Sequence, residues 1–130
     1  LDVYQCSRKE RPVPQADVVI QGACSQQGYL NGIWIRQGTT RSGAPWFSKG
    51  NIHLFHEPGC VDNAPAAWIF NDDPPSLTAI SDLDGDGSCN IYGCRFSGSA
   101  LPVGTTTWQL MCGSTGRLAD HSLSVDYLTT

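Results

Sequence analysis

The sequence predicts an all-β domain, a compact disulfide-stapled β-sandwich or small barrel of seven to eight short strands. Three observations point there. Apolar residues alternate with polar ones in short runs rich in Val, Ile, Tyr, Phe and Trp. Turn residues are plentiful, with Gly 14 and Pro 8 in 130 residues. No window shows a 3.6-residue apolar period with caps, as an amphipathic helix would.

The elements follow in order. Residues 1–16 include "SRKERPVPQ" and read as a polar N-terminal arm. "DVVIQGAC" (Asp17 to Cys24) is β-branched and forms a short strand ending at Gly22. "NGIWIRQG" opens on an Asn-Gly hairpin signal and continues as a strand from Ile33 to Gln37. "RSGAP" turns the chain before Trp46 and Phe47. "NIHLFHEPG" alternates, with Ile52, Leu54 and His56 on one side and His53 and Phe55 on the other. "AAWIFNDDPP" gives a strand at Trp68 to Phe70, stopped by Asp72, Asp73 and two prolines. "CNIYGCRF" and "TTTWQLMC" are further strands; in the second, Trp108 and Leu110 oppose Thr107, Gln109 and Met111. "HSLSVDYL" places Leu123, Val125 and Tyr127 inside and Ser122, Ser124 and Asp126 outside. "VVI" (Val18 to Ile20) and the C-terminal "SVDYLTT" are expected as exposed strand edges.

The length fits one domain over residues 1–130. Only 15% of residues are charged and the net charge is −4, which argues against nucleic acid and anionic membrane surfaces as partners. No apolar run approaches the ~20 residues of a membrane-spanning helix, so membrane insertion is not expected. The chain lacks an initiator Met, and Leu1 reads as a processed or excised start.

Six cysteines, Cys6, Cys24, Cys60, Cys89, Cys94 and Cys112, are scattered with no Cys-x-x-Cys. A zinc site usually pairs close cysteines, so three disulfides in an oxidising, extracellular compartment is the expected arrangement. Fifteen connectivities are open. The favoured one joins Cys24 to Cys112, an early strand to a late one, with Cys60–Cys89 bracing the acidic loop and Cys6–Cys94 remaining. No Asn-x-Ser/Thr sequon is present, so N-glycosylation is not expected.

"SDLDGDGSC" is the sharpest signal. Asp82, Asp84 and Asp86, followed by Gly87, match the first half of an Asp-x-Asp-x-Asp-Gly calcium loop. Alternate residues of a tight loop can point hard oxygens at one centre. Ser88 would add a backbone carbonyl and Asn90 a direct or water-mediated contact. Where an EF-hand places its bidentate Glu, this chain has Gly93. A complete calcium site must therefore borrow a carboxylate, and Asp72 or Asp73 is the candidate. The plain alternative is a solvated Asp-Gly double turn.

Trp34, Trp46, Trp68 and Trp108 are expected mainly as core. Trp46 adjoins Phe47 in sequence, so one of the two should face solvent. Trp34 and Trp46 are the candidate ligand-stacking rings, with Asn31, Gln37 and Asn51 as polar contacts. His53 and His56 are three apart and fall on opposite strand faces, which separates them as metal ligands. No Gly-x-Ser-x-Gly elbow and no phosphate-binding glycine loop occurs.

"NGIWIRQGTTRSGAPWF", "HLFH", "AAWIF", "DLDGDGSC" and "TTWQLMC" together resemble a small disulfide-containing β-module of secreted and cell-surface proteins of algae and other protists, over Gly28 to Cys112. The resemblance implies an extracellular β-domain and no catalytic residue set. The expected function is a secreted or cell-surface, non-catalytic binding or adhesion module. Its partner would be a glycan or an extracellular protein, with calcium shaping the acidic loop. The alternatives are a structural subunit self-assembling in an extracellular coat or filament, and a small secreted enzyme or inhibitor.

Overall fold

A computed structural model describes residues 16–61, 63–88, 91–112 and 116–128. Eight antiparallel strands follow one another around a closed barrel. They are β1 Val18–Gln21, β2 Gly32–Thr39, β3 Pro45–Lys49, β4 Ile52–Glu57, β5 Ala67–Asn71, β6 Gly93–Phe96, β7 Gly104–Leu110 and β8 Ala119–Tyr127. A 3-10 segment, Ser25–Leu30, lies between β1 and β2. The chain is thus nearly all β, and of the two architectures expected it takes the barrel. Its first and last strands are not edges. Val18 sits opposite Trp34 on one side and Tyr127 on the other, so β1 joins β2 to β8 and closes the sheet. The ladder between β6 and β7 is short, with register pairs at Gly93 and Cys94 only. Beyond it, the Arg95 guanidinium donates to the Thr107 carbonyl at 2.7 Å and continues the link between the strands.

The barrel interior is solid. Val18, Ile20, Trp34, Phe47, Leu54, Trp68, Phe70, Trp108, Leu110, Leu123 and Val125 fill it, with Leu30 and Ala44 at its ends. The aromatic rings meet at tilted angles, Trp34 to Phe70 at 5.3 Å and Phe70 to Trp108 at 5.2 Å between centroids. A buried indole N–H needs an acceptor, and each of these finds one. Trp34 Nε1 donates to the Leu30 carbonyl at 2.8 Å. Trp68 Nε1 is shared between the Gly98 and Ala100 carbonyls, and Trp108 Nε1 donates to Thr106 Oγ1. Gly93 has no room for a side chain: a Cβ there would lie 2.7 Å from Leu110 and 3.1 Å from the Gln109 carbonyl.

A second core lies outside the barrel wall. Phe55, Ala67, Ile69 and Cys94 face outward from β4, β5 and β6 and are covered by Leu83, with Trp46, Ala79 and Ile91 at the margin. The long connection from β5 to β6 folds back over that face. This is why β5 is buried at every position and why the alternation expected along β4 ends with both faces covered. The cover is pinned by Glu57, only 2% exposed. Its carboxylate accepts from the Leu83 amide at 2.6 Å and the Gly59 amide at 3.0 Å.

Cys24 and Cys112 form a disulfide that ties the start of the 3-10 segment to the end of β7. Cys60 is also disulfide-bonded. The expected Cys6–Cys94 bridge is not formed: Cys94 is a free thiol, 2% exposed within the second core, and burial pushes its ionisation upward. Cys94 faces outward from the middle of β6, where it packs as a small apolar side chain. Cys6 and Cys89 lie outside the described residues, as does the N-terminal arm apart from Ala16.

Two outcomes test this packing. Breaking the Cys24–Cys112 bridge, which spans 88 residues, with Cys24→Ser and Cys112→Ser together should lower stability by up to about 4–5 kcal/mol in the chain-entropy model. Chemical denaturation reads it. Glu57→Gln leaves one of two buried amides without an acceptor and should cost roughly 1–3 kcal/mol. Hydrogen exchange at the Leu83 amide should then accelerate well before that of the strand amides.

Candidate acidic metal site

The β5–β6 connection begins at Asn71, which is 3% exposed. Its side-chain carbonyl accepts from the Asp72 amide at 2.7 Å and the Asp73 amide at 3.4 Å, turning the chain sharply off the strand. Its side-chain amide donates to Asp84 Oδ2 at 2.8 Å. One buried asparagine therefore brings residues 72–73 beside the acidic loop. The loop itself closes on Asp82, a left-handed residue (φ 47°) whose carbonyl accepts from the Gly85 amide and whose Oδ2 accepts from the Gly87 amide. Gly85 and Gly87, at φ 74° and 69°, supply the further left-handed positions.

The result is a cluster. One carboxylate oxygen each from Asp73, Asp84 and Asp86 lies within 4.8 Å of the others. Buried oxygens Oδ1 of Asp82 and Oδ1 of Asp84 have no hydrogen-bond partner among the described residues. Asp84 is held up to about 6, from an ordinary 3.8, first by burial and then by the Asp82 carboxyl beside it, with a smaller push from Asp86. Its hydrogen bond from Asn71 pulls the other way. Oxygens held this close favour a shared proton or a shared cation. The donor set is hard oxygen, which suits calcium.

Of the seven residues expected at the metal, Asp73, Asp84 and Asp86 converge. Asp82 lies alongside but turns one oxygen back to its own loop. Asp72 points elsewhere, accepting from the Tyr92 hydroxyl at 3.3 Å. The Ser88 amide donates to Asp86 Oδ1, a turn contact that orients Asp86. Asn90 lies outside the described residues.

The expected stacking rings do not form a surface. Trp34 is fully buried in the barrel interior, because the pleat that exposes Ile33 and Ile35 turns residue 34 inward. Phe47 takes the inward position of its pair, and Trp46 lies half-buried on the outer wall, edge-on to His53 at 5.8 Å. Asn31 is engaged internally, its side chain bonding both the amide and the carbonyl of Ala23. Gln37 and Asn51 are exposed.

The histidines part as expected. His56 turns inward against Trp68 and bonds the Ser97 carbonyl, while His53 sits outside with its Nδ1 2.5 Å from Ser48 Oγ, its cross-strand neighbour. Burial lowers the His53 ionisation, opposed by the charges of Asp73 and Asp72.

A pair of tyrosines escapes sequence reasoning. Tyr29, 42% exposed, stands edge-to-face with Tyr92 at 6.3 Å. The negative charge of Asp72 holds the Tyr92 hydroxyl in its protonated form to higher pH. Tyr29 lies in the 3-10 segment, where no periodicity marks a face, and only its Gly28 neighbour hints at a turn.

No protein-family model, curated protein or solved structure matches this chain.

Proposed function

We propose that this chain is a secreted or cell-surface, non-catalytic binding module whose acidic loop is ordered by calcium, with carbohydrate as its ligand class. The observation that carries the reading is the convergence of Asp73, from the end of β5, with Asp84 and Asp86 of the loop. A cation there would neutralise carboxylates that otherwise repel and would fasten the cover of the second core to the strand beneath it. Other features agree. The disulfide suits an oxidising compartment. The barrel interior is filled with side chains. Along β7 and β8, Trp108, Leu110, Leu123 and Val125 point inward while Thr105, Thr107, Ser122 and Asp126 point outward, the reverse of the pattern in a membrane-spanning barrel.

A second reading, self-assembly, draws on Ile33 and Ile35, 50% and 49% exposed along the outer face of β2. If copies associate through that stripe, Ile33→Ser with Ile35→Ser will abolish any concentration-dependent rise in sedimentation coefficient. An association that survives the double change would remove β2 from consideration.

For calcium, metal-free protein titrated to millimolar calcium should melt at progressively higher temperature. The stabilisation approaches about 2.7 kcal/mol when calcium reaches a hundred times its dissociation constant. Asp84→Asn combined with Asp86→Asn should erase the shift. An unmoved melting curve at millimolar calcium would exclude the site.

The pH dependence follows from Asp84. Its folded-state value, about 6, lies above the ordinary 3.8, so the folded protein binds this proton more tightly than the unfolded chain. The contribution to metal-free stability is complete below about pH 4 and is lost as pH rises through 6. Calcium competes with that proton. The calcium-induced shift should therefore be larger at pH 7 than at pH 5, which differential scanning calorimetry at both values measures.

A further inference from the structure

We propose that Tyr29, together with Tyr92 and Asp72, forms the surface on which this module holds a neutral sugar ring. The inference rests on the binding-module reading and supplies the residues that Trp34 and Trp46 do not.

The first argument is rigidity. Gln27 is 2% exposed, and all of its side chain is engaged in fixing this surface. Its amide donates to the Tyr29 hydroxyl at 3.0 Å and to the Tyr92 carbonyl at 2.7 Å, while its carbonyl accepts from the Met111 amide at 2.7 Å. Lys49 Nζ donates to the Tyr29 carbonyl at 2.9 Å. The Cys24–Cys112 bridge ties down the start of the same segment. A buried amide that anchors an exposed ring orders that ring before any partner arrives, which lowers the entropy cost of contact.

The second argument is chemical. Asp72, Ile91, Tyr92 and Met111 line a shallow hollow of about 220 Å³. An aromatic face flanked by carboxylate and phenol oxygens matches a pyranose, which offers a C–H face to the ring and hydroxyl donors to the acceptors. The Asp72 carboxylate in that lining selects against uronic acids and sulfated sugars by like-charge repulsion. Asp73 belongs to the acidic cluster, so the sugar surface and the cation site adjoin in sequence.

The test uses the full chain on a printed array of neutral, uronic and sulfated oligosaccharides, with proline-rich peptides on the same slide. Retention on at least one neutral glycan is expected, with uronic and sulfated glycans left unbound. Tyr29→Ala should weaken retention about tenfold, the loss of one ring contact worth roughly 1–1.5 kcal/mol. Tyr29→Phe keeps the ring but frees it from Gln27, so it should weaken retention by less than Tyr29→Ala does, and Trp46→Phe should leave retention unchanged. If Tyr29→Ala fails to fold by circular dichroism, Asp72→Asn carries the test, with an expected weakening of at least threefold. Retention on no neutral glycan overturns the proposal. So does capture by acidic glycans or proline-rich peptides instead, or undiminished retention in both Tyr29→Ala and Asp72→Asn. A calcium titration of the same sample separates the two readings. A melting shift with no glycan retained sinks the sugar surface alone. Tyr29-dependent retention with no melting shift sinks the calcium loop alone.

Discussion

Filling a closed barrel with aromatic rings is the constraint on which the rest of this structure depends. Closure removes open sheet edges, but it leaves an interior that must be packed solid and dry. Three indoles occupy it, and an indole carries one N–H that cannot be left unpaired in such a place. Trp108 finds its acceptor within its own strand, at Thr106, whereas the other two reach segments that are not strands. Trp34 reaches the carbonyl of Leu30, fixing the 3-10 segment across one end. Trp68 reaches the carbonyls of Gly98 and Ala100, fixing the β6–β7 connection across the other. The same residues thus fill the core and fasten its lids, and the surface carried by the 3-10 segment inherits its rigidity from the barrel interior.

The outer wall works by a different device. Phe55 and Ile69 would present an apolar face to water if the β5–β6 connection did not cover them. Covering a sheet with irregular backbone strands amide groups away from solvent, and buried acceptors must answer them. Glu57 does this for Leu83 and Gly59, and Asn71 for Asp72 and Asp73. Packing the second core therefore requires side-chain acceptors at the ends of β4 and β5. Those acceptors decide where the acidic loop lies, so the cluster of Asp73, Asp84 and Asp86 is a consequence of how the wall is covered.

Much of this was legible in residue order. The alternation Leu123, Val125, Tyr127 gave β8 its inward face, and the spacing of turns gave the number of strands. Cys24 and Cys112 flank the first and seventh strands, and strand order favoured their pairing. What could not be read were properties that a strand acquires only from what lies above it. Phe55 and His53 share a face by pleat, yet one is buried and the other partly open, because a segment distant in sequence covers only one of them. Trp34 alternates between two exposed isoleucines, and period two cannot say which set faces the core. Cys94 looked like half of a bridge because cysteines were even in number, and its burial as a free thiol reflects the demands of the second core. Tyr29 lies in a 3-10 turn, which has no apolar stripe to read.

The acidic loop shows how these two layers of order meet. Its backbone is held at Asp82, by a left-handed turn and the amide of Gly87, independently of any ion. Its position over the wall is held by Glu57 and Asn71. With the geometry already imposed, the carboxylates cannot relax apart as they would in a flexible tail, and the repulsion between Asp84 and its neighbours is retained in the fold. A proton relieves that repulsion at low pH. Near neutrality only a cation can, and one seated between Asp73 and Asp86 would join the end of β5 to the far side of its own cover. Pinning a loop at a further point adds little chain entropy when the loop is already pinned elsewhere. The gain would come instead from relieving charge that the fold has forced together, so the strength of cation binding would be set by how firmly Glu57 and Asn71 hold the loop in place.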